Sequence, residues 1–107
     1  MSKAINMALI NEKARIFKAL GHPTRLMFVE KLAGGECCVC ELVELAGVDF
    51  STVSKHLSVL KEAGIISDDK RGKKVFYRLS FICVTGFMEC IETSLRKKLD
   101  TDSLMFV

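Results

Sequence analysis

The stretch FSTVSKHLSVLKEAG, residues 50–64, decides the fold because it carries an apolar and a polar stripe at helical spacing. Val53, Leu57 and Leu60 recur every three or four residues, which predicts a helix side that faces a core. Asp49 is a good N-cap just before it, and the final glycine ends the helix. The opposite side carries short hydroxyls and lysines: Ser51, Ser54, Lys55, Ser58 and Lys61. The stretch therefore predicts an amphipathic helix with an exposed polar side.

A second short helix is predicted directly upstream, over residues 38–46, with a tight turn at Gly47. Two short helices that meet at a glycine turn, the second with hydroxyls and lysines outward, form a helix-turn-helix pattern over 38–63. Further upstream, apolar spacing predicts helices over 5–20 and 23–33, separated by the turn GHP.

Downstream, two apolar runs flank the basic turn DDKRGKK and predict a β-hairpin over residues 65–79. A strand, basic turn and strand placed directly after a helix-turn-helix form a wing. A last helix is predicted over 81–99, and residues 100–107 form a tail. The predicted fold is mainly α with a β-hairpin wing, in the order ααααββα. We expect one winged helix-turn-helix domain over 1–107.

The last helix is unusually apolar for so small a chain, which has little core left to cover it. We therefore predict a homodimer that buries the two terminal segments, 1–20 and 80–99, against a second copy.

Composition limits the class of protein. The chain has 107 residues, of which 50% are hydrophobic and 27% charged, as in a single globular domain. No apolar run approaches the ~20 residues of a membrane helix, and the N-terminus lacks the pattern of a signal peptide. These observations predict a cytoplasmic protein with no membrane partner.

The net charge of +3 is unevenly distributed. Residues 49–79 hold seven basic and four acidic side chains, whereas residues 1–48 hold six and five and residues 80–107 hold three and four. The excess of positive charge around the predicted helix-turn-helix and wing indicates an anionic partner there.

The chain has five cysteines, an odd number, and the cytosol keeps thiols reduced, so a structural disulfide framework is not expected. Cys38 and Cys40 would point about 200° apart on a regular helix. They can share a ligand only where the first turn is not helical, which the preceding Gly34-Gly35 favours. A helix N-terminus also lowers the pKa of a thiol. Inert packing, a soft-metal site and redox chemistry remain open.

Four segments resemble the ArsR/SmtB family of small bacterial and archaeal winged-helix repressors. They are LGHPTRL at 20–26, ECCVCEL at 36–42, STVSKHLSVLKEAGI at 51–65 and RGKKVFYRL at 71–79. The resemblance covers about residues 8–95 and implies a dimer that blocks transcription on double-stranded operator DNA until an effector weakens its grip. The CVC element resembles that of members that sense arsenite, antimonite or soft divalent metals.

The resemblance implies that the helix over 50–63 enters the major groove. Residues that match DNA-contacting positions are Ser51, Ser54 and Lys55, together with Thr52 and His56. The wing lysines and arginine are expected on flanking phosphates: Lys70, Arg71, Lys73 and Lys74. Relatives often carry glutamine at position 50. Phe50 cannot form its hydrogen bonds, so a different operator, read through a thymine methyl, is expected.

The resemblance also implies that Cys38 and Cys40 are thiolate ligands for As(III), Sb(III) or a soft divalent metal, with no constitutive cofactor. Cys37 is additional to the cysteines of those relatives and is a candidate third ligand. Relatives often have a third cysteine where this chain has Val43, so either Cys37 replaces it or two thiolates suffice.

Cys83 and Cys90, about 10.5 Å apart along the last helix, cannot hold one ion together. They are expected to be buried and to pack as small hydrophobic residues. In the alternative, Cys83 or Cys90 of either subunit assists Cys38 and Cys40 in binding the ligand.

Other functions stay open at this point. The alternative is a repressor of the same fold that senses oxidants or reactive sulfur through its thiols. A cadmium, lead or zinc sensor, or a regulator with silent cysteines, is a further one. Neither histidine lies near the cysteines in sequence, and no oxyanion or phosphate-binding loop is present, so no catalytic residue is assigned and the chain is not expected to be an enzyme.

Overall fold

In the computed structural model, the backbone of residues 4–105 and the side chains of residues 4–99 are described. Five helices and three strands follow one another along this part of the chain. Their bounds are α1 Met7–Leu20, α2 Pro23–Ala33, β1 Cys37–Cys38, α3 Val39–Ala46, α4 Phe50–Glu62, β2 Ile66–Arg71, β3 Lys74–Leu79 and α5 Cys83–Met105. The predicted winged helix-turn-helix is confirmed, with one added strand.

Helix ends follow from local chemistry. The Asn6 side chain accepts a hydrogen bond from the Leu9 amide at 3.1 Å, and the Asp49 carboxylate accepts one from the Thr52 amide at 3.2 Å. Both caps satisfy amides that have no partner inside the helix. Gly47 ends α3 with φ of 67°, a left-handed conformation that glycine adopts at no steric cost. Gly47 and the cap at Asp49 therefore fix the turn between α3 and α4.

The sheet is antiparallel with strand order β1-β3-β2. The wing hairpin pairs Ile66 with Leu79 at its base and Arg71 with Lys74 at its tip. The added strand β1 pairs with the other side of β3, where Cys38 lies opposite Phe76. The predicted order ααααββα lacks this strand, because two residues have no periodicity and only their distant partner makes them a strand.

The core lies between α2, α3, α4 and the base of the wing. Val53, Leu57 and Leu60 are each at most 1% exposed, which confirms the inward stripe of α4. They pack with Phe28 of α2 and Leu42 of α3 in one cluster. Because the core holds α4 from behind, its polar side stays on the surface.

The backbone of α5 is helical to Met105, where a tail was predicted from residue 100. Residues 106 and 107 lie outside the described part of the chain. Among the described side chains of α5 only Val84 is buried, and its apolar residues are exposed at Phe87, Ile91, Leu95 and Leu99. No helix in the described range is long and apolar enough to cross a membrane.

Phe17 of α1 contacts Phe87 of α5 edge to face, with ring centroids 5.6 Å apart. Phe17 itself is 56% exposed, and Ile5, Leu9 and Ile10 are exposed as well. The first and last helices thus form a broad apolar surface that this chain does not cover by itself.

Candidate functional site

The start of α4 presents a polar surface around one aromatic ring. Ser51 and Lys55 are exposed and Ser54 is half-buried, while Phe50 is 60% exposed at the first position of the helix. The Thr52 hydroxyl donates to the Asp49 carboxylate at 2.6 Å, and the hydrogen bonds from Thr52 lower the pKa of that carboxyl. Thr52 therefore serves the helix cap in this arrangement, whereas its neighbours remain available to a partner.

His56 faces away from the solvent side of α4 and toward α2. Arg25 donates from Nη1 to its Nδ1 at 3.2 Å, and the ring of His22 lies 4.4 Å away, centroid to centroid. Burial, then His22 and Arg25, lowers the pKa of His56. Since arginine has no acceptor, Nδ1 of His56 must be unprotonated. His56 thus links the helix to α2 rather than lying free on its outer face.

His22 braces the start of α2: its Nδ1 accepts a hydrogen bond from the Thr24 amide at 3.1 Å. The contact between the His22 and His56 rings, which are tilted by 44°, was missed by sequence reasoning. No sequence signal links two histidines 34 positions apart, so only the packing of α2 against α4 shows it.

The wing tip holds four basic residues in two different situations. Lys70, Lys73 and Lys74 are exposed and have no ion pair within the described part of the chain. Arg71 donates from Nη1 and Nη2 to the two carboxylate oxygens of Glu36 at 2.6 and 2.8 Å. The wing tip thus has three lysines without an ion pair among the described residues and one arginine that is bound to Glu36.

Arg71 has two further contacts. Its Nε donates to Asp69 at 3.0 Å, and its guanidinium carbon lies 4.6 Å from the ring centroid of Phe76. The two carboxylates raise its pKa, and it stays charged. Sequence reasoning placed Arg71 with the phosphate-contacting lysines and missed Glu36.

Cys37 and Cys38 are adjacent on a strand, so their side chains point to opposite faces. Cys37 is 5% exposed and belongs to the hydrophobic core, with its thiol 3.6 Å from the Gly35 carbonyl oxygen. Burial, followed by the charge of Glu41, raises the pKa of the Cys37 thiol. Cys37 is thus a core residue in this conformation.

Cys38 is the N-cap of α3, with extended backbone angles of φ −69° and ψ 148°. Its Sγ accepts a hydrogen bond from the Cys40 amide at 3.4 Å, and its own amide donates to the Glu41 carboxylate at 3.0 Å. The regular turns of α3 begin at Val39, and Cys38 before them is extended. This conformation turns the Cys38 thiol toward Cys40.

A hydrogen bond from Cys40 lowers the pKa of the Cys38 thiol, and the same contact raises that of Cys40. Cys38 is consequently the better thiolate of the pair, and Cys40 is exposed. Within the described residues no group of three or more cysteine, histidine or carboxylate side chains is assembled for a metal ion. The chain thus presents a two-thiol pair that suits a thiophilic centre.

Cys83 and Cys90 are exposed on α5. The expectation that both are buried is wrong for the single chain, because α5 packs on the core mainly through Val84. All five cysteines are free thiols.

The fold and the exposed start of α4 define a winged helix-turn-helix protein, a class of DNA-binding transcriptional regulators. Residues 22–68 match the model of the family described as bacterial regulatory protein, arsR family. The crystal structure of the transcriptional repressor BigR from Xylella fastidiosa is 38% identical, with a TM-score of 0.72 over 78% of this chain and 86% of that chain. The chain belongs to the ArsR family.

Other relatives support this membership. A biofilm growth-associated repressor from Xylella fastidiosa is 44% identical over 70 residues, 65% of this chain and 61% of that protein. The arsenical resistance operon repressor of Escherichia coli K12 is 43% identical over 67 residues, 62% of this chain and 57% of that one. The chain thus spans about three fifths of the length of these relatives.

A homodimeric winged helix-turn-helix DNA-binding domain from Mycobacterium bovis, solved in solution, is 26% identical. It superposes with a TM-score of 0.80 over 94% of this chain and 95% of that domain. The fold is therefore shared with it over nearly the whole chain.

Proposed function

We propose that this protein is a cytoplasmic homodimeric repressor, released from operator DNA when Cys38 and Cys40 bind trivalent arsenic or antimony. The observation that carries the proposal is the N-cap position of Cys38, which places two thiols side by side between the wing and α4. Cys38 pairs with the wing strand β3 through Phe76, and it is also the N-cap of α3, the helix that packs against α4.

DNA binding is supported by the surface of α4 and the wing. The N-terminal residues of a recognition helix contact base edges in the major groove, and here Phe50, Ser51 and Lys55 are exposed at that end. Lys70, Lys73 and Lys74 at the wing tip suit contacts with the flanking phosphates. Two α4 helices in a dimer would read half-sites about 34–36 Å apart.

Homodimerisation is supported by the uncovered apolar surface of α1 and α5. Phe17, Phe87, Ile91, Leu95 and Leu99 are each at least 41% exposed. A contiguous apolar surface of this kind is typical of an interface. The likeness to a homodimeric domain over 94% of this chain is consistent with the same pairing.

The effector is supported by the chemistry of the thiol pair and by the likeness to the arsenical resistance operon repressor. Arsenite in water is As(OH)₃. Two As–S bonds to Cys38 and Cys40 replace two As–O bonds, and the thiol protons leave with the two hydroxides as water. The third oxygen stays on arsenic, so two thiols complete the site and Cys37 can remain in the core.

A mobility-shift assay under reducing conditions tests this proposal, with an operator selected from random DNA. Arsenite should release the wild-type protein, whereas Cys38→Ser and Cys40→Ser should keep DNA binding and lose the response. Cys37→Ala serves as the matched control and should respond like the wild type. Release of Cys38→Ser by arsenite would refute the role of the pair.

The second candidate is a repressor of the same fold that senses oxidants or reactive sulfur. The lowered pKa of Cys38 beside the exposed Cys40 favours it, because thiolates are the form that oxidants attack. Peroxide added without arsenite, in the same assay, separates the two. Reversible release by peroxide together with an intact complex in arsenite would support this candidate and exclude the first.

A further inference from the structure

The segment that carries the cysteines is attached to the tip of the wing by one ion pair. Glu36 directly precedes β1, and Arg71 is the last residue of β2, 35 positions away. Both carboxylate oxygens of Glu36 accept from the two Nη atoms of Arg71 at 2.6 and 2.8 Å. A two-bond contact between planar groups fixes orientation as well as distance.

A second connection runs through the sheet. Cys37 lies opposite Tyr77 and Cys38 opposite Phe76 in the pairing of β1 with β3. Phe76 also lies under the guanidinium of Arg71, 4.6 Å from ring centroid to carbon. The residue opposite Cys38 and the residue bound to Glu36 therefore touch each other. The cysteine segment and the wing form one connected unit.

Binding of a two-thiol ligand must disturb this unit. The Sγ of Cys38 accepts the Cys40 amide, and a sulfur that forms a new bond has to turn toward its ligand. The backbone of Cys38 is restrained, because its amide donates to Glu41 and the residue is paired with β3. A displacement of Cys38 therefore moves Glu36 and β3 together.

We propose that Glu36 and Arg71 are positioning residues that transmit ligation at Cys38 and Cys40 to the wing, and so to its grip on DNA. The inference rests on the proposed function for the identity of the site. It adds the contacts through which ligand binding at the thiols changes the binding of the wing to DNA. Exposed ion pairs contribute little to stability, so the contact is explained better by orientation than by folding.

The geometry gives this role to Arg71 alone among the wing-tip cations. Lys70, Lys73 and Lys74 have no ion pair in the described part of the chain, and a flexible lysine could not copy the fork of bonds. Arg71 donates to Glu36 and Asp69 at once, which leaves it poorly placed to hold a phosphate. Arg71 is thus bound within the protein, whereas the three lysines have no ion pair among the described residues that would compete with a phosphate.

Glu36→Gln in the full-length protein tests the coupling, with Glu44→Gln as the control. Glu44 is an exposed carboxylate on α3 without an ion pair among the described residues. Phenylarsine oxide is the probe, because it joins two close thiols whatever the natural effector is. Two As–S bonds replace the As–O double bond, and the oxide leaves as water with both thiol protons. Excess glutathione suppresses capture by single thiols.

The measured quantity is the ratio of operator dissociation constants with and without the probe. Glu36→Gln should bind the probe within about twofold of the wild type and keep its DNA affinity in the absence of the probe. Its ratio should be at least fivefold smaller than that of the wild type or of Glu44→Gln. Arg71→Lys, which keeps the charge and loses the fork, should behave like Glu36→Gln.

Hydrogen exchange supplies a readout independent of DNA. The probe should speed exchange of the amides of Lys74–Leu79 in the wild type, and less so in Glu36→Gln. Equal ratios for Glu36→Gln and the wild type, or a failure of the probe to bind the pair, would overturn the inference. Failure of arsenite alone to release DNA would instead overturn the proposed effector and leave this result standing.

Discussion

Glu41 combines two roles at the cysteine site, which two substitutions can separate. Its carboxylate accepts the Cys38 amide at 3.0 Å, closing the capping box of α3. Its negative charge adds to the burial that raises the pKa of Cys37, and it opposes the hydrogen bonds from Cys40 that lower the pKa of Cys38. Glu41→Gln keeps an oxygen that can accept the hydrogen bond and removes the charge. Glu41→Ala removes both.

The two roles predict different effects: loss of the cap lowers stability, and loss of the charge makes the Cys38 thiol more reactive. Loss of the cap should lower the free energy of unfolding of Glu41→Ala by about 1 kcal/mol, the usual value of a helix cap. For a domain of this size that corresponds to a fall in Tm of roughly 4–8 °C. Glu41→Gln should change the Tm by much less. In both variants the pKa of Cys38 should fall, so its thiol should react faster at neutral pH.

Thermal unfolding at a fixed protein concentration measures the stability, because dimerisation makes the Tm depend on concentration. Alkylation by iodoacetamide at pH 7, followed by peptide mass spectrometry, measures the reactivity of Cys38. Equal Tm values for Glu41→Ala and Glu41→Gln would refute the capping role. Slower alkylation of Cys38 in Glu41→Gln would refute the electrostatic one.

Further outcomes follow from the other contacts. Because folding lowers the pKa of His56 beside His22 and Arg25, the stability that its neutral form contributes should be complete above pH ~6.5 and be lost as the pH falls below it. Chemical denaturation between pH 8 and 5 should show this loss, and His56→Gln should remove that part of it; a pH dependence identical in the variant would contradict the assignment. Lys73→Gln should reduce the slope of log K against log salt by about 0.9, one phosphate contact, in fluorescence-anisotropy titrations with operator DNA. An unchanged slope would place Lys73 off the DNA. Exposed Phe50 is expected on a thymine methyl, so deoxyuridine at that base should weaken wild-type binding about fourfold, the effect of one buried methyl group, and leave Phe50→Ala unaffected. Equal sensitivity of both proteins to the replacement would show that Phe50 does not read that base.

Sequence alone determined the features that are encoded within a few neighbouring residues. The inward stripe of Val53, Leu57 and Leu60 and the cap at Asp49 predicted α4, because a helix repeats every 3.6 residues. The two apolar runs that flank the basic turn predicted the wing hairpin. The predicted start of α3 at Cys38 is one residue too early, because Cys38 is extended and the helix begins at Val39.

The candidate site was predicted only in part for the same reason. Cys38 and Cys40 are close in sequence, so their pairing could be inferred. Whether Cys37 joins them could not, since its direction depends on which face of β1 meets the core. That strand exists only through its partner, Tyr77 and Phe76, nearly 40 residues away.

The tertiary structure alone decided which side chains meet across the fold. Glu36 with Arg71, and His22 with His56, are each more than 30 positions apart and lie in segments with no common periodicity. A charge pattern shows that Arg71 is basic, but not that a carboxylate already holds it. Periodicity reports which face of an element is buried; the packing of elements determines what that face touches.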